Sequence, residues 1–239
     1  MKKNLALPIG IQSFKEIRTN NYLYIDKTEQ IFNLIESGKV YFLSRPRRFG
    51  KSLLVSTMDA FFSGKKELFS GLKIEKLEKD WKSYPVFYFD FGGKEYKTRK
   101  DLEEKLYNIL DNIKSKYELS TSQTVPELIF SELIKSASEK YGKNVVVLVD
   151  EYDKALLETV ENKTENEDCR SLLRGFFGVL KPCDAYLKFV FITGVTKFSK
   201  VSIFSDLNQL NDISLSSSAQ DICGITQTEL ENYFSDEIK

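Results

Sequence analysis

The sequence predicts an α/β fold with a central parallel sheet and helices on both of its faces. The chain has 239 residues, which is enough to bury the core of one large domain. Short, continuous apolar runs alternate along it with longer segments whose apolar residues recur at helical spacing. Continuous apolar runs are typical of parallel strands that are buried on both faces. The functional groups of such sheets collect at the carboxyl ends of the strands, so the residues after each run are the first candidates for a site.

The first elements predicted are a short strand, a helix and a strongly apolar strand. Residues 22–25 form the short strand. Asp26 then caps a helix, with Glu29 as its reciprocal partner in a capping box, and Gly38 ends that helix. Residues 40–43 are a compact buried strand, and an amphipathic helix follows the loop after it.

Further apolar runs and amphipathic segments repeat this alternation through the rest of the chain. Near its end, Thr226 and Glu229 form a capping box for a last helix. The other predicted elements are strands at 86–89, 145–149 and 189–192, a weaker strand near Ile213, and helices at 100–117, 126–141 and 167–180.

The composition excludes several kinds of site. Lys and Arg number 35 and Asp and Glu number 35, so the net charge of zero gives no overall attraction to nucleic acid or to an anionic membrane. Histidine is absent, which excludes an imidazole base, a histidine metal ligand and a Ser–His–Asp triad. The 3 cysteines form no CxxC pair, so we expect neither a disulfide framework nor a cysteine zinc site.

The sequence shows no signal for export or membrane insertion. The start, MKKNLALPIG, has two lysines but only a short apolar run, unlike a signal peptide. No apolar stretch approaches the ~18 residues that a membrane span needs. We therefore expect a cytoplasmic protein with no membrane partner.

The tripeptide Gly50-Lys51-Ser52 follows a buried strand and opens a helix, which is the context of a phosphate-binding loop. Glycine lets backbone N–H groups approach phosphate oxygens, and the N-terminus of the helix adds a positive dipole. In such a loop, Lys51 reaches the β- and γ-phosphates and the Ser52 hydroxyl binds Mg²⁺.

Two acids, Asp150 and Glu151, follow the most strand-like run of the sequence. They either cap the strand end or serve a nucleotide hydrolase, and the Gly50-Lys51-Ser52 loop favours the second interpretation. Asp150 would then hold Mg²⁺ through water, and Glu151 would orient and polarise the attacking water. The 98 residues between positions 52 and 150 leave room for a crossover that places the two strands side by side. Tyr152, Asp153 and Lys154 are expected to shape the loop after the acids.

Three arginines and one threonine have two interpretations each. Arg45, Arg47 and Arg48 either raise the positive potential beside a triphosphate or contact nucleic acid. Thr193 ends the next buried strand. Its hydroxyl either acts on the nucleotide or is a hydrogen-bonded group at a strand end. In the first case it senses the γ-phosphate or holds the attacking water, which would make Thr193 catalytic.

Four stretches together are highly specific: LPIGIQSFKEIRTNNYLYIDKT near the start, SRPRRFGKSLL, VVVLVDEYDK and FITGVTKFSKVSIFSDLNQLNDIS. They resemble the predicted AAA-ATPase-like proteins of bacteria and archaea, and the resemblance extends from about Leu7 to about Phe234. Arg45 stands where phosphate-binding loops usually have their first glycine, and RPRRFGKS is similar to the form of the loop in this family.

The resemblance implies an additional-strand P-loop ATPase with ATP and Mg²⁺ as its cofactors. Ser52 and Asp150 are then the Mg²⁺ residues, Asp150 and Glu151 are the Walker B pair, and Lys51 binds phosphate. The Asp26-Lys27-Thr28 segment is a characteristic of the family, either at the edge of the nucleotide or as a structural element. The residues expected to bind the nucleotide are Arg45, Pro46, Arg47, Arg48, Phe49, Gly50, Lys51, Ser52 and Leu53.

The expected function is therefore Mg²⁺-dependent ATP binding with hydrolysis of the γ-phosphate. A non-hydrolysing nucleotide switch, a nucleic-acid-associated accessory module and a small-molecule phosphotransferase are the alternatives, and assembly into a homo-oligomer stays open. The core is expected to span residues 1–225, with residues 226–239 as the start of a helical lid. Members of the family usually continue into a nuclease-like domain of the PD-(D/E)XK type, whose residues are absent from this sequence, so nuclease activity is not carried over.

Overall fold

The computed structural model describes residues 5–196, 203–205 and 207–235. Their contacts divide the chain into two units, which are described separately. The helical unit lies within Met1–Gly38, Arg47–Ser83 and Ile213–Lys239. The sheet unit lies within Lys39–Pro46 and Tyr84–Asp212.

Helices are found in both units. The helical unit contains α1 (Phe14–Thr19), α2 (Thr28–Ser37), α3 (Lys51–Phe62), α4 (Ile74–Leu77) and α9 (Gln227–Tyr233), with 3₁₀ turns at Lys66–Phe69 and Ser217–Ala219. The sheet unit contains α5 (Arg99–Tyr117), α6 (Pro126–Tyr141), α7 (Lys154–Glu158) and α8 (Lys163–Gly178), with a 3₁₀ turn at Asp184–Tyr186.

Within the described residues, the strands of the sheet unit form one five-stranded sheet in which every pair is parallel. The strands are β1 (Val40–Ser44), β2 (Val86–Asp90), β3 (Val145–Asp150), β4 (Leu187–Gly194) and β5 (Asn211–Asp212), in the spatial order β2-β3-β4-β1-β5. The predicted α/β class and parallel sheet are confirmed.

The strand β4 lies between β1 and β3. We expected β1, which precedes the loop, and β3, which precedes the acids, to be neighbours. This expectation is wrong, because β4, which follows β3 in the chain, lies between them. This inserted strand is the additional strand that the family resemblance implies. The register places Thr193 beside Leu43 and Asp150 beside Asp90, so the polar strand ends share one edge of the sheet.

The sheet is buried on both faces, which explains why its strands are continuous apolar runs. Alternate residues such as Val147 and Leu148 on β3 point to opposite faces, and both are fully buried. The residues of the Val147 face join a core with the apolar sides of α5, α6 and α8. Phe130 on α6 stacks on Phe176 of α8 within this core, with ring centroids 4.7 Å apart.

The helix predictions in the sheet unit are confirmed with small shifts at the ends. α6 has the predicted bounds and is followed by Gly142 in the left-handed conformation. α5 begins one residue before the prediction, after a capping box at Thr98. α8 begins at Lys163 rather than at residue 167, because the Asn162 side chain accepts a hydrogen bond from the backbone N–H of Glu165.

The helical unit has an aromatic core. Phe69 packs against Phe14 at 4.8 Å and Trp81 at 5.2 Å between ring centroids, and Trp81 also contacts Phe61. The capping box predicted at Thr226 and Glu229 is present at the start of α9. Trp81 thus serves packing in this core.

Two predictions at the start of the helical unit are wrong. Residues 22–25 are not a strand: among the residues that the structure describes, the segment's one backbone hydrogen bond to extended chain runs from Leu23 N–H to the Ala6 carbonyl at 2.9 Å. Glu29 does not complete a capping box with Asp26. It pairs with Lys73 at 2.7 Å, while Asp26 accepts bonds from the N–H and hydroxyl groups of Thr28.

A test of packing in the sheet unit uses Gly194 at the end of β4. A Cβ there would overlap the ring of Tyr152 and lie 2.8 Å from Asp153 Oδ1. Tyr152 is fully buried and its hydroxyl donates to the Thr196 carbonyl, so the ring has no room to move. We expect Gly194→Ala to lower the free energy of unfolding by about 2 kcal/mol in urea titrations. Gly175→Ala on α8, where the Cβ meets nothing within 4 Å, should raise it slightly, and equal effects of the two changes would contradict the packing.

Candidate functional site

The carboxyl edge of the sheet holds a buried carboxylate that is fixed by two neighbours. Asp150, the last residue of β3, is only 2% exposed. Thr193 on β4 is fully buried and its hydroxyl donates to Asp150 Oδ1 at 2.6 Å, while the N–H of Glu151 donates to the same oxygen at 3.1 Å. Among the described residues, no hydrogen bond reaches Oδ2. The carboxylate therefore has a fixed plane and one oxygen available to a ligand.

Glu151 leaves the strand in the left-handed backbone conformation, with φ 54°. Its side chain is 40% exposed, in contrast to the buried Asp150 beside it, and its Oε2 lies 3.9 Å from Lys154 Nζ. The two adjacent acids thus have different environments. One is fixed in the protein interior, and the other extends toward solvent, where a water molecule could reach it.

The loop after these acids is held to the end of β4. Asp153 is 1% exposed, and its carboxylate accepts hydrogen bonds from the N–H of Val195 and from both the N–H and the hydroxyl of Thr196, at 2.7–3.2 Å. The N–H of Tyr152 donates to the carbonyl of Thr193. The prediction that Tyr152 and Asp153 shape this loop is confirmed.

Carboxylates dominate the electrostatics near β2 and β3. The Tyr96 hydroxyl donates to the Phe91 carbonyl at 2.8 Å. Burial raises the pKa of Tyr96, and the charges of Asp90, Glu158 and Glu151 raise it further. Tyr96 is therefore a neutral hydrogen-bond donor that fixes the chain after β2.

The predicted phosphate-binding loop begins in the sheet unit. The N–H of Arg45 donates to the Gly194 carbonyl at 3.2 Å, and Arg45 Nη1 donates to the Ser44 carbonyl at 3.1 Å. Arg45 and Pro46 therefore continue directly from the carboxyl edge of the sheet. In the chain, the rest of the loop follows them.

In the helical unit, the loop ends at the start of α3. Arg48 and Gly50 both have left-handed backbones, with φ 66° and 84°. Gly50 is the N-cap residue and Lys51 is the first residue of α3, so the first N–H groups of the helix lie at this turn. Lys51 is 6% exposed and Ser52 is half-buried. A left-handed turn at a helix N-terminus is the backbone arrangement that binds phosphate.

Phe49, in the same loop, contacts a part of the helical unit that is distant in the sequence. Its carbonyl accepts a hydrogen bond from the N–H of Gly224 at 3.1 Å. A Cβ at Gly224 would lie 3.3 Å from the Phe49 ring, and Gly224 has φ 79°, so both space and backbone conformation require glycine there.

The loop borders a cavity of about 410 Å³ within the helical unit. Two cationic side chains, Lys27 and Arg48, lie on a lining that is otherwise mainly apolar. No pattern in the sequence indicates this cavity. Its lining residues are Leu7, Pro8, Ile9, Ile11, Leu23, Tyr24, Ile25, Lys27, Arg48, Phe49, Gly50, Leu53, Leu54, Ile222, Cys223, Gly224, Ile225 and Phe234.

Lys27 on the cavity wall forms an ion pair with Glu229 of α9, with Nζ and Oε2 2.6 Å apart. Burial favours the neutral acid, but hydrogen bonds from Lys27 and Thr226 outweigh it and lower the pKa of Glu229. The two neighbours of Lys27 have another role: Asp26 accepts the N–H of Lys73, and Thr28 Oγ1 accepts the N–H of Ile74 at the start of α4. In this three-residue segment, Asp26 and Thr28 are structural, and Lys27 lines the cavity.

Comparison with known proteins identifies the family. The model of a family described as "Predicted AAA-ATPase" matches residues 8–204, most of the chain. The chain belongs to this predicted AAA-ATPase family. Membership supports a nucleotide-binding, ATPase-like function and agrees with the parallel sheet described above.

A curated relative of this predicted AAA-ATPase is an uncharacterized protein from the region 5′ of vnfD in Azotobacter chroococcum mcd 1. The two are 42% identical over 234 residues, which are 97% of this chain and 45% of the relative. The chain thus spans less than half the length of that relative. No solved structure matches the chain.

The site residues predicted from sequence fall into two groups in this predicted AAA-ATPase. Asp150, Glu151 and Thr193 meet at the sheet edge, and the loop residues from Arg47 to Leu53 lie in the helical unit at the start of α3. Within the described part of the chain, no cluster of three or more Asp, Glu or Cys side chains is placed to hold a metal ion, and no helix has both the length and the apolar character to cross a bilayer.

Proposed function

We propose that this predicted AAA-ATPase binds Mg·ATP and hydrolyses its γ-phosphate. The observation that carries the proposal is the sheet edge where Thr193 fixes the buried Asp150 beside the more exposed Glu151. A carboxylate held in one orientation next to a second, accessible carboxylate suits an ion ligand and a water-activating group.

We assign the phosphates to the loop. The N–H groups at the left-handed turn of Arg48 and Gly50 would donate to phosphate oxygens, and the dipole of α3 would favour the negative charge. Lys51 would place its ammonium on the β- and γ-phosphates. Arg45 and Arg47 add positive potential, and Pro46, Phe49 and Leu53 shape the loop around the nucleotide.

The residues present fit a magnesium ion that arrives with the nucleotide. Mg²⁺ prefers oxygen ligands and is usually held by one or two protein groups together with substrate phosphates, so no preformed cluster is required. The open Oδ2 of Asp150, acting through water, and the hydroxyl of Ser52 would supply the protein oxygens. When bound, the ion neutralises charge on the β- and γ-phosphate oxygens. Thr193 acts through Asp150, so we assign it as a positioning residue.

We assign Glu151 to the attacking water. Its carboxylate would accept a hydrogen bond from that water and take up the proton as the new O–P bond forms. The bond between the γ-phosphorus and the β-phosphate oxygen breaks at the same time, which releases ADP and inorganic phosphate. Lys51 would stabilise the negative charge that develops on these oxygens.

We assign the nucleoside to the cavity of the helical unit. A volume of about 410 Å³ with mainly apolar walls suits a flat base and its ribose, and the cavity includes Arg48 and Gly50 of the loop that we assign to the phosphates. The base would gain affinity by leaving water for this apolar surface.

Ile9 offers a test of the cavity because it lines the wall and yet is 87% exposed. Its replacement should therefore not affect folding. We expect Ile9→Asn to weaken ATP binding about fivefold, the equivalent of about 1 kcal/mol of lost apolar contact, and to leave inorganic triphosphate binding unchanged. Leu215→Asn is the matched control, since Leu215 is 89% exposed and lies outside the cavity lining. Equal losses for ATP and triphosphate would contradict the assignment of the nucleoside.

Phosphate release from Mg·ATP by the purified chain tests the function, with the binding of a fluorescent ATP analogue measured in parallel. Binding with phosphate release that EDTA abolishes is the expected result. Binding without release would instead support the non-hydrolysing switch. Absence of binding would overturn the proposal, and DNA binding that persists without nucleotide would favour the accessory module.

We further propose that the protein acts in the cytoplasm. All three cysteines, Cys169, Cys183 and Cys223, are buried thiols, as is common in reducing compartments. Whether the chain acts as a homo-oligomer, and whether a functional boundary follows residue 225, stay predictions.

A further inference from the structure

The chain after β2 turns so that Gly92 lies beside Glu151. Pairing of β2 with β3 continues one residue past Asp90, because the N–H of Phe91 donates to the Asp150 carbonyl at 3.2 Å. The N–H of Gly92 then donates to Asp90 Oδ1 at 2.7 Å, and its carbonyl accepts a bond from Lys105 Nζ at 3.1 Å. Hydrogen bonds therefore hold Gly92 through both its N–H and its carbonyl.

There is no room for a side chain at Gly92. A Cβ would lie 2.9 Å from Asp90 Oδ1 and 3.3 Å from Glu151 Oε2. The backbone of Gly92 is outside the left-handed region, so the requirement for glycine here is one of space alone. A Cβ would therefore press on both carboxylates: Asp90, which is held by its bond to the Gly92 N–H, and Glu151, which would have to give by a few tenths of an ångström.

Lys154 lies near the same oxygen of Glu151, Oε2. Lys154 Nζ lies 3.9 Å from Glu151 Oε2 and 4.0 Å from Glu158 Oε1, and the N–H of Lys154 donates to the Glu151 carbonyl at 3.0 Å. A half-exposed glutamate ordinarily samples several rotamers. Here Gly92 and Lys154 both lie beside Oε2 of Glu151 and restrict where the carboxylate can move.

We propose that Gly92 is a positioning residue for Glu151: the missing side chain leaves the space in which the Glu151 carboxylate sits beside Lys154. This inference rests on the proposed role of Glu151 in activating water. Displacement of a catalytic group by about 1 Å can cost about 100-fold in rate, so a shift of a few tenths of an ångström at Glu151 should slow hydrolysis by about 3- to 10-fold.

The test compares Gly92→Ala with the wild-type chain in kinetics and in crystal structures. We expect kcat for phosphate release to fall about 3- to 10-fold while Kd for Mg·ATP changes less than about twofold, because the nucleotide contacts assigned above do not include Gly92. In the Glu151→Gln background, Gly92→Ala should have no further effect on the rate. Gly175→Ala on α8 is the control for a glycine-to-alanine change that meets no neighbour.

Each outcome separates this inference from the proposed function. A Glu151 carboxylate that stays in place in the crystal structure of Gly92→Ala would overturn the inference, as would an unchanged kcat in an active enzyme. A rate loss of equal size in the Glu151→Gln background would also overturn it. A displaced carboxylate in a protein whose wild type releases no phosphate would support the positioning by Gly92 and refute the hydrolytic role of the site.

Discussion

Replacing Lys51 by alanine is expected to abolish phosphate release and to weaken ATP binding. The ammonium group is the positive charge that we assign to the β- and γ-phosphates, and Lys51 is buried as the first residue of α3. Loss of a charge-assisted hydrogen bond of about 2 kcal/mol corresponds to about 30-fold weaker binding. Loss of its stabilisation of the transition state should lower kcat by a further factor of about 100 to 1000.

The matched variants for this prediction separate charge from packing. Lys51→Met keeps an apolar stem in the same buried place and has similar helix propensity, so it should fold normally and show the same losses as alanine. Lys76→Ala removes an exposed lysine of the helical unit and should have no effect. Wild-type turnover by Lys51→Met, measured by phosphate release, would refute the assignment of Lys51.

The second large effect is expected for Glu151→Gln, which should bind ATP normally and lose hydrolysis. The amide is nearly the same size as the carboxylate but cannot accept the proton of the attacking water, so kcat should fall about 100- to 10,000-fold. ATP binding and phosphate release are measured on the same preparation. A bound, unhydrolysed nucleotide is the result that distinguishes this variant from Lys51→Ala.

Glu158 provides the control for charge. Its Oε1 lies 4.0 Å from Lys154 Nζ, close to the 3.9 Å of Glu151, so Glu158→Gln removes a second carboxylate near the same lysine. The amide oxygen can still accept the hydrogen bond from the Tyr96 N–H. Full activity in Glu158→Gln and unchanged hydrolysis in Glu151→Gln would together exclude Glu151 as the water-activating group.

Much of the sheet and its acidic edge could be predicted from sequence because both depend on local pattern. An apolar run such as Val145–Val149 has to be buried whatever its neighbours are, and the acids after it then lie at the carboxyl edge. Strand order is different, because it depends on pairing between distant segments. No local pattern in the sequences of β1 and β3 indicates that β4 lies between them. Only the family resemblance implied this strand order.

The cavity and the contact at Gly92 escaped sequence analysis for related reasons. The cavity wall combines segments near Leu7, Tyr24, Phe49 and Ile222, and no periodicity connects apolar residues so far apart in the chain. In the sequence, Gly92-Gly93 resembles an ordinary turn, and nothing indicates that the Glu151 carboxylate lies beside Gly92. Residues 22–25 show the reverse error, since apolar side chains that line a cavity resemble those of a short strand.

The ion pair between Lys27 and Glu229 joins residues 202 positions apart, and this separation has a consequence for synthesis on the ribosome. The helical unit is interrupted by the whole of Tyr84–Asp212, so its last stretch emerges only after the sheet unit has been made. Until translation passes Phe234, the cavity lacks the wall that this stretch provides. Because domains generally fold as they emerge, the nascent chain can assemble its sheet before it can complete the cavity.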